Sequence, residues 1–153
     1  MEEDNTTVTS MSSTSFLAEI MLILTGLSGI SVVGVNIGFF HSLPVFVVTL
    51  GLLIGILAII MCIIGIYVLL YQDYFRLKLF LQLLTLFVGI QSGFIIYLYF
   101  FTTYTDSNDY HHHHHQQGVL IALDVCCGLG TSALIALCFH LKQKGSTMEM
   151  FKF

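Results

Sequence analysis

The sequence predicts an all-α protein, a transmembrane four-helix bundle with short connectors, and three observations predict it. Of the 153 residues, 56% are hydrophobic and only 9% charged, too few polar side chains to coat a soluble domain of this size. Four apolar stretches each reach the roughly 20 helical residues needed to cross a hydrocarbon core. Those stretches are continuously apolar instead of alternating, which excludes transmembrane strands.

The first stretch covers residues 16–40. It follows the head "MEEDNTTVTSMSSTS" (1–15), which is acidic and has no basic residue. A secretory signal opens on a positive segment and has a shorter apolar core, so this reads as a retained span. After the connector "HSLP", the second stretch runs over 45–71 and the third over 78–101, separated by a short segment containing Arg76. The loop 102–117 carries "YTDSNDYHHHHHQQG" in part, and the fourth stretch follows at 118–141. The tail, 142–153, and the head read as disordered segments.

The cations orient the bundle. Arg76 and Lys78 sit at the second connector, Lys142, Lys144 and Lys152 in the tail, and none elsewhere. The positive-inside rule then places both termini in the cytoplasm and the histidine loop outside, with the plasma or an endosomal membrane as the expected location. Asn5-Thr6-Thr7 is a glycosylation sequon; a glycan on Asn5 would invert this map or make the protein a three-span one.

Helices in lipid associate through small residues and through a few polar side chains. Literal GxxxG pairs occur as Gly34 with Gly38, Gly51 with Gly55, and Gly89 with Gly93, and Cys126 with Gly130 has the same spacing in the fourth span. These predict a smooth face on every helix and a tight bundle. Asn36, Gln82, Gln91 and Asp124 are the most informative intramembrane polar residues; each needs a partner in hydrocarbon. A hydrogen-bonded layer linking Asn36, Gln91 and Asp124 is expected. Asp124 has no cation at its depth, so it reads either as a protonated acid bonded to Gln91 or Asn36 or as a proton or cation relay.

From residue 65 the text reads "GIYVLLYQDYFRLKLFLQLLTLFVGIQSGF". A glycine-bearing span end, a very short polar connector, and a polar residue separated from "LF" by ten residues resemble the second and third spans of tetraspanins. Gln91 matches the intramembrane Glu/Gln of that family, and Gln72, beside Asp73, the connector Glu. The asparagine in span one is similar in kind. The resemblance implies an organiser of other membrane proteins that works through lateral contacts. The chain departs from the family in its outer loop, which is short and lacks cysteine. Its "CCG" at Cys126, Cys127 and Gly128 falls inside the fourth span.

The histidine run His111, His112, His113, His114 and His115 is a weak metal candidate, because consecutive imidazoles lack the spacing and supporting shell of a defined site. Spacer, metal or acid sensor, and built-in tag are its three readings. Cys138, one turn before Lys142, is a candidate for acylation. No catalytic constellation, cofactor-binding motif or basic surface for nucleic acid is present, so the chain reads as a non-enzyme without cofactors. Its expected partners are membrane lipids, other integral membrane proteins and further copies of itself. Alternatives to an organiser are an ion-translocating subunit with Asp124 as carrier and Gln91 as tuner, and a junctional tetraspan. A claudin is disfavoured because tryptophan is absent.

Overall fold

The computed structural model describes the backbone of residues 3–104 and 113–151 and the side chains of 13–101 and 117–146. Helices α1 (Glu3–Gly38), α2 (Val45–Tyr71), α3 (Tyr74–Tyr104) and α4 (His113–Phe151) make up the fold, with no strand among the described residues. All four contain segments long and apolar enough to cross a membrane: Ser13–Gly38, Val45–Tyr71, Tyr74–Phe101 and Gln117–Ser146. Between 28% and 39% of each segment's most apolar window is buried inside the bundle. The remaining apolar surface suits lipid, and the chain is a multi-pass integral membrane protein.

The head and tail depart from the disorder expected of them. Helix α1 begins at Glu3 and α4 continues to Phe151. A span that is already helical removes the nucleation cost, so adjoining residues add to it at little expense.

The helices alternate in direction. At one end, here the basal end, Thr14 of α1 hydrogen-bonds Gln143 of α4 at 2.9 Å. At the other, distal end, Gly118 of α4 lies against the Phe39 ring that follows α1. Helix α1 packs extensively on both α2 and α4, and α3 packs on α4. Contact between α2 and α3 is sparse, carried by Phe80 against Gly65 and by the rings of Phe46 and Tyr97, 6.1 Å apart.

One rhythm underlies all four contacts. Buried residues recur at alternating steps of four and three: Ala18, Leu22, Thr25, Gly29, Val32 and Asn36 in α1. In α2 they are Gly51, Ile54, Ala58, Met61, Gly65 and Val68, and in α3 Leu77, Phe80, Leu84, Phe87, Gln91, Phe94 and Leu98. Helix α4 contributes Val119, Leu123, Cys126, Gly130, Ala133, Leu137 and His140. A 3.5-residue repeat is the periodicity of left-handed helix bundles, in which the seam positions interlock.

Short connectors hold the register. Gln72 closes α2 in the left-handed region (φ 50°), and its N–H donates to the Val68 carbonyl. The Lys144 ammonium of α4 donates to the Gln72 carbonyl. Asp73 then starts α3: its carboxylate accepts the Phe75 N–H at 3.3 Å, an N-cap geometry. Pro44 precedes α2 and accepts from the Val47 and Val48 N–H groups. Hydroxyls within the spans are satisfied locally, as where Thr25 donates to Met21 O at 2.7 Å and Thr131 to Cys127 O at 2.8 Å.

Candidate functional site

The glycines divide into two sets. A β-carbon on Gly29 would lie 2.8 Å from the Ala58 side chain and 2.9 Å from the Gly55 carbonyl, and one on Gly55 would meet Val33 and the Gly29 carbonyl. Gly26 abuts Cys62, Gly51 abuts Asn36, and Gly65 abuts Phe80 and Leu22. These close approaches are what small residues permit between membrane helices. Gly130 is in ordinary contact with Val88, and Cys126 is fully buried.

Gly34, Gly38, Gly89, Gly93 and Gly128 have no neighbour within 4 Å of a β-carbon position, and all five are exposed. The expectation that every GxxxG pair packs within the bundle is therefore corrected for Gly34 with Gly38 and for Gly89 with Gly93. Neither pair falls on the buried heptad positions of its helix, whereas Gly51, Cys126 and Gly130 do. Sequence reading missed Gly26, Gly29 and Gly65, which form no literal GxxxG. The four-three repeat was the signal that would have found Gly29 and Gly65.

The polar residues also separate. Asn36 and Gln91 are both 0% exposed. The Asn36 Nδ2 donates to Val32 O at 2.8 Å within its own helix, and the Gln91 Nε2 donates to Leu123 O of α4 at a long 3.4 Å. The carbonyl oxygens of both amides have no hydrogen-bond partner. Gln82 is exposed.

Asp124 is exposed as well, adjacent in sequence to the Leu123 that meets Gln91 but facing away from the bundle. The expected polar layer of Asn36, Gln91 and Asp124 is thus not formed, because Asn36 and Gln91 occupy heptad positions and Asp124 does not. Asp124 lies seven residues into Gln117–Ser146, about 10 Å by helical rise. Gln91, at the same level, is ten residues from the distal end of Tyr74–Phe101, about 15 Å. A lipid-facing aspartate at a span's centre costs about 2.5–3.5 kcal/mol on insertion scales; Asp124 lies nearer the distal end, where the cost is smaller, yet it stands out among the residues the bundle exposes.

At the basal end, sequence reading missed a polar junction. His140 is buried, with Nδ1 3.4 Å from the Thr14 hydroxyl. With Thr14 to Gln143 and Lys144 to Gln72, it ties α1, α4 and the second connector together. Asp73 pairs with Arg76 at 3.4 Å on the surface, a bridge of little energetic weight.

Cys138 is exposed and lines a shallow apolar groove with Leu134, Ile135, Phe139 and Lys142. All four cysteines are free. His111 and His112 lie outside the described residues, and of His113, His114 and His115 only the backbone, within α4, is described; the side chain of Asn5 is likewise outside them. Among the described residues no cluster suited to a metal ion occurs. Comparison with known protein families, curated proteins and solved structures found no match.

Proposed function

We propose that this membrane protein is a small tetraspanin-like organiser that assembles other integral membrane proteins by lateral helix packing. The observation that carries this reading is the set of unoccupied small-residue positions: Gly34 and Gly38 on α1, Gly89 and Gly93 on α3, and Gly128 on α4 face outward with open space before them. Glycine in a helix interior costs about 1 kcal/mol relative to alanine, and within this bundle Gly34, Gly89, Gly93 and Gly128 return no packing for that cost, while Gly38 ends α1. Another helix lying against them would, since close backbone approach is the main source of association in lipid. In this reading the basal end is cytoplasmic, in a plasma or endosomal membrane, and the protein is neither an enzyme nor a nucleic-acid binder.

The test is quantitative mass spectrometry of membrane proteins that co-isolate in mild detergent, comparing wild type with Gly89→Leu/Gly93→Leu. Partners retained by the wild type and depleted by the variant support an organiser that uses α3. A wild-type sample free of partners contradicts it.

An ion-translocating role for Asp124 draws support from its being an exposed carboxylate within a span, although it sits nearer the distal end than a midplane carrier would. Gln91 points to α4 within the bundle, so it does not serve that carboxylate as tuner. Flux in reconstituted vesicles that disappears in Asp124→Asn is the result this second reading requires.

A further inference from the structure

Resting on the lateral-organiser reading, we propose that the α4 face of Asp124, Gly128 and Ser132 docks a transmembrane helix of another protein that carries a lysine or arginine at the depth of Asp124. Asp124 is exposed, makes no hydrogen bond or ion pair among the described residues, and sits at the level of Gln91, about 10 Å below the distal end of its span. An aspartate side chain is too short to reach the interface from there, whereas a basic side chain on a neighbouring helix is long enough to reach the aspartate. In a low dielectric the attraction of such a pair is far stronger than in water, and pairing removes the need to leave either charge facing lipid.

The surface around Asp124 is shaped for this occupant. Gly128 lies one turn further along the same face, with nothing within 4 Å of its β-carbon position. The Ser132 hydroxyl donates to the Gly128 carbonyl at 2.9 Å, so it presents no unsatisfied donor to an incoming helix. A backbone can approach closely at these two positions, which brings a basic side chain one turn away within reach of the carboxylate.

A second copy of this chain does not supply the cation. Arg76 and Lys78 lie at the start of α3, Lys142 and Lys144 near the end of α4, and Lys152 follows them in sequence. A copy in the same orientation places Arg76, Lys78, Lys142 and Lys144 at the basal end, away from Asp124; Lys152 lies outside the described residues.

The test uses the full chain in phosphatidylcholine nanodiscs, with synthetic Leu/Ala-rich single-span helices as probes and resonance energy transfer as the readout. One probe carries a lysine seven residues from its distal end, a second has leucine there, and a third has the lysine moved seven residues deeper. The wild type is expected to hold the first probe at least about tenfold more tightly than the other two. That preference disappears in Asp124→Asn, weakens in Gly128→Leu and persists in Gly89→Leu/Gly93→Leu. Equal binding of the lysine and leucine probes overturns the proposal, as does a preference kept in Asp124→Asn, or Asp124-dependent self-association that displaces the probe. An unchanged melting temperature of Asp124→Asn establishes that the variant is folded. Because the probes are synthetic, a tenfold preference alongside absent native partners contradicts the organiser reading while leaving this surface standing. Native partners with no preference do the reverse.

Discussion

The side-chain amide of Asn36 on α1 lies in the place that a β-carbon on Gly51 of α2 would occupy. With only a hydrogen at that position, Gly51 lets the Asn36 amide pack against α2, although the amide oxygen has no hydrogen-bond partner. The pair fixes the α1/α2 register near the distal end, since a polar residue at one seam position penalises every alternative alignment.

Gly51→Ala is therefore expected to destabilise the bundle by about 1–3 kcal/mol, the usual effect of forcing atoms into a packed interior. Asn36→Ala in the same chain relieves the collision, so the double variant melts above the sum of the two single effects. Thermal unfolding of the four proteins in one detergent measures the coupling; simple additivity would contradict the contact.

Gly55→Ala and Gly34→Ala make a matched contrast on neighbouring helices. The first places a methyl against Val33 and the Gly29 carbonyl, while the second meets nothing. Gly55→Ala should lower the melting temperature. Gly34→Ala should leave it unchanged or raise it, by up to about 1 kcal/mol of helix propensity. Equal losses at both sites would show that Gly34 is packed.

Gln91→Leu tests the cost of an orphaned acceptor. The substitution gives up one long hydrogen bond to Leu123 O and removes a buried oxygen with no partner. Replacing such a group with an apolar one of similar size is near neutral or stabilising, so a melting temperature equal to or above wild type is expected. A loss beyond about 2 kcal/mol would mean the Gln91 oxygen has a partner, such as a buried water.

Lys144 closes the carbonyl end of α2 through Gln72. Lys144→Met should cost about 0.5–1.5 kcal/mol, within the range for a single hydrogen bond, and should speed amide exchange at Gln72 and in the last turn of α2. Lys144→Arg, which keeps a charged donor, should restore protection. Unaltered exchange in Lys144→Met would remove the cap from the account.

How far the sequence disclosed this molecule follows from what each signal measures. Span existence depends on length and hydropathy, so all four were legible. Which side of a span faces inward is harder, because helices bathed in lipid are apolar all round and carry no strong amphipathic stripe. A GxxxG search has no sense of face: it weighted Gly34 and Gly38 the same as Gly51 and Gly55, although the first pair points outward and the second inward. The four-three repeat separates Gly51 from Gly34 and Gly38, and places Asn36 and Gln91 on the seams and Asp124 off them. Junctions such as His140 with Thr14 join residues 126 positions apart, beyond any local pattern.

The division between inward and outward glycines is the centre of the account, and one paired measurement tests it. Melting temperature and co-isolated membrane proteins are recorded from the same detergent samples of wild type, Gly51→Ala and Gly89→Leu/Gly93→Leu. The account predicts that Gly51→Ala melts lower, while Gly89→Leu/Gly93→Leu melts as wild type but is depleted of its partners. A Gly89→Leu/Gly93→Leu protein that unfolds early, or that keeps every partner, would contradict it.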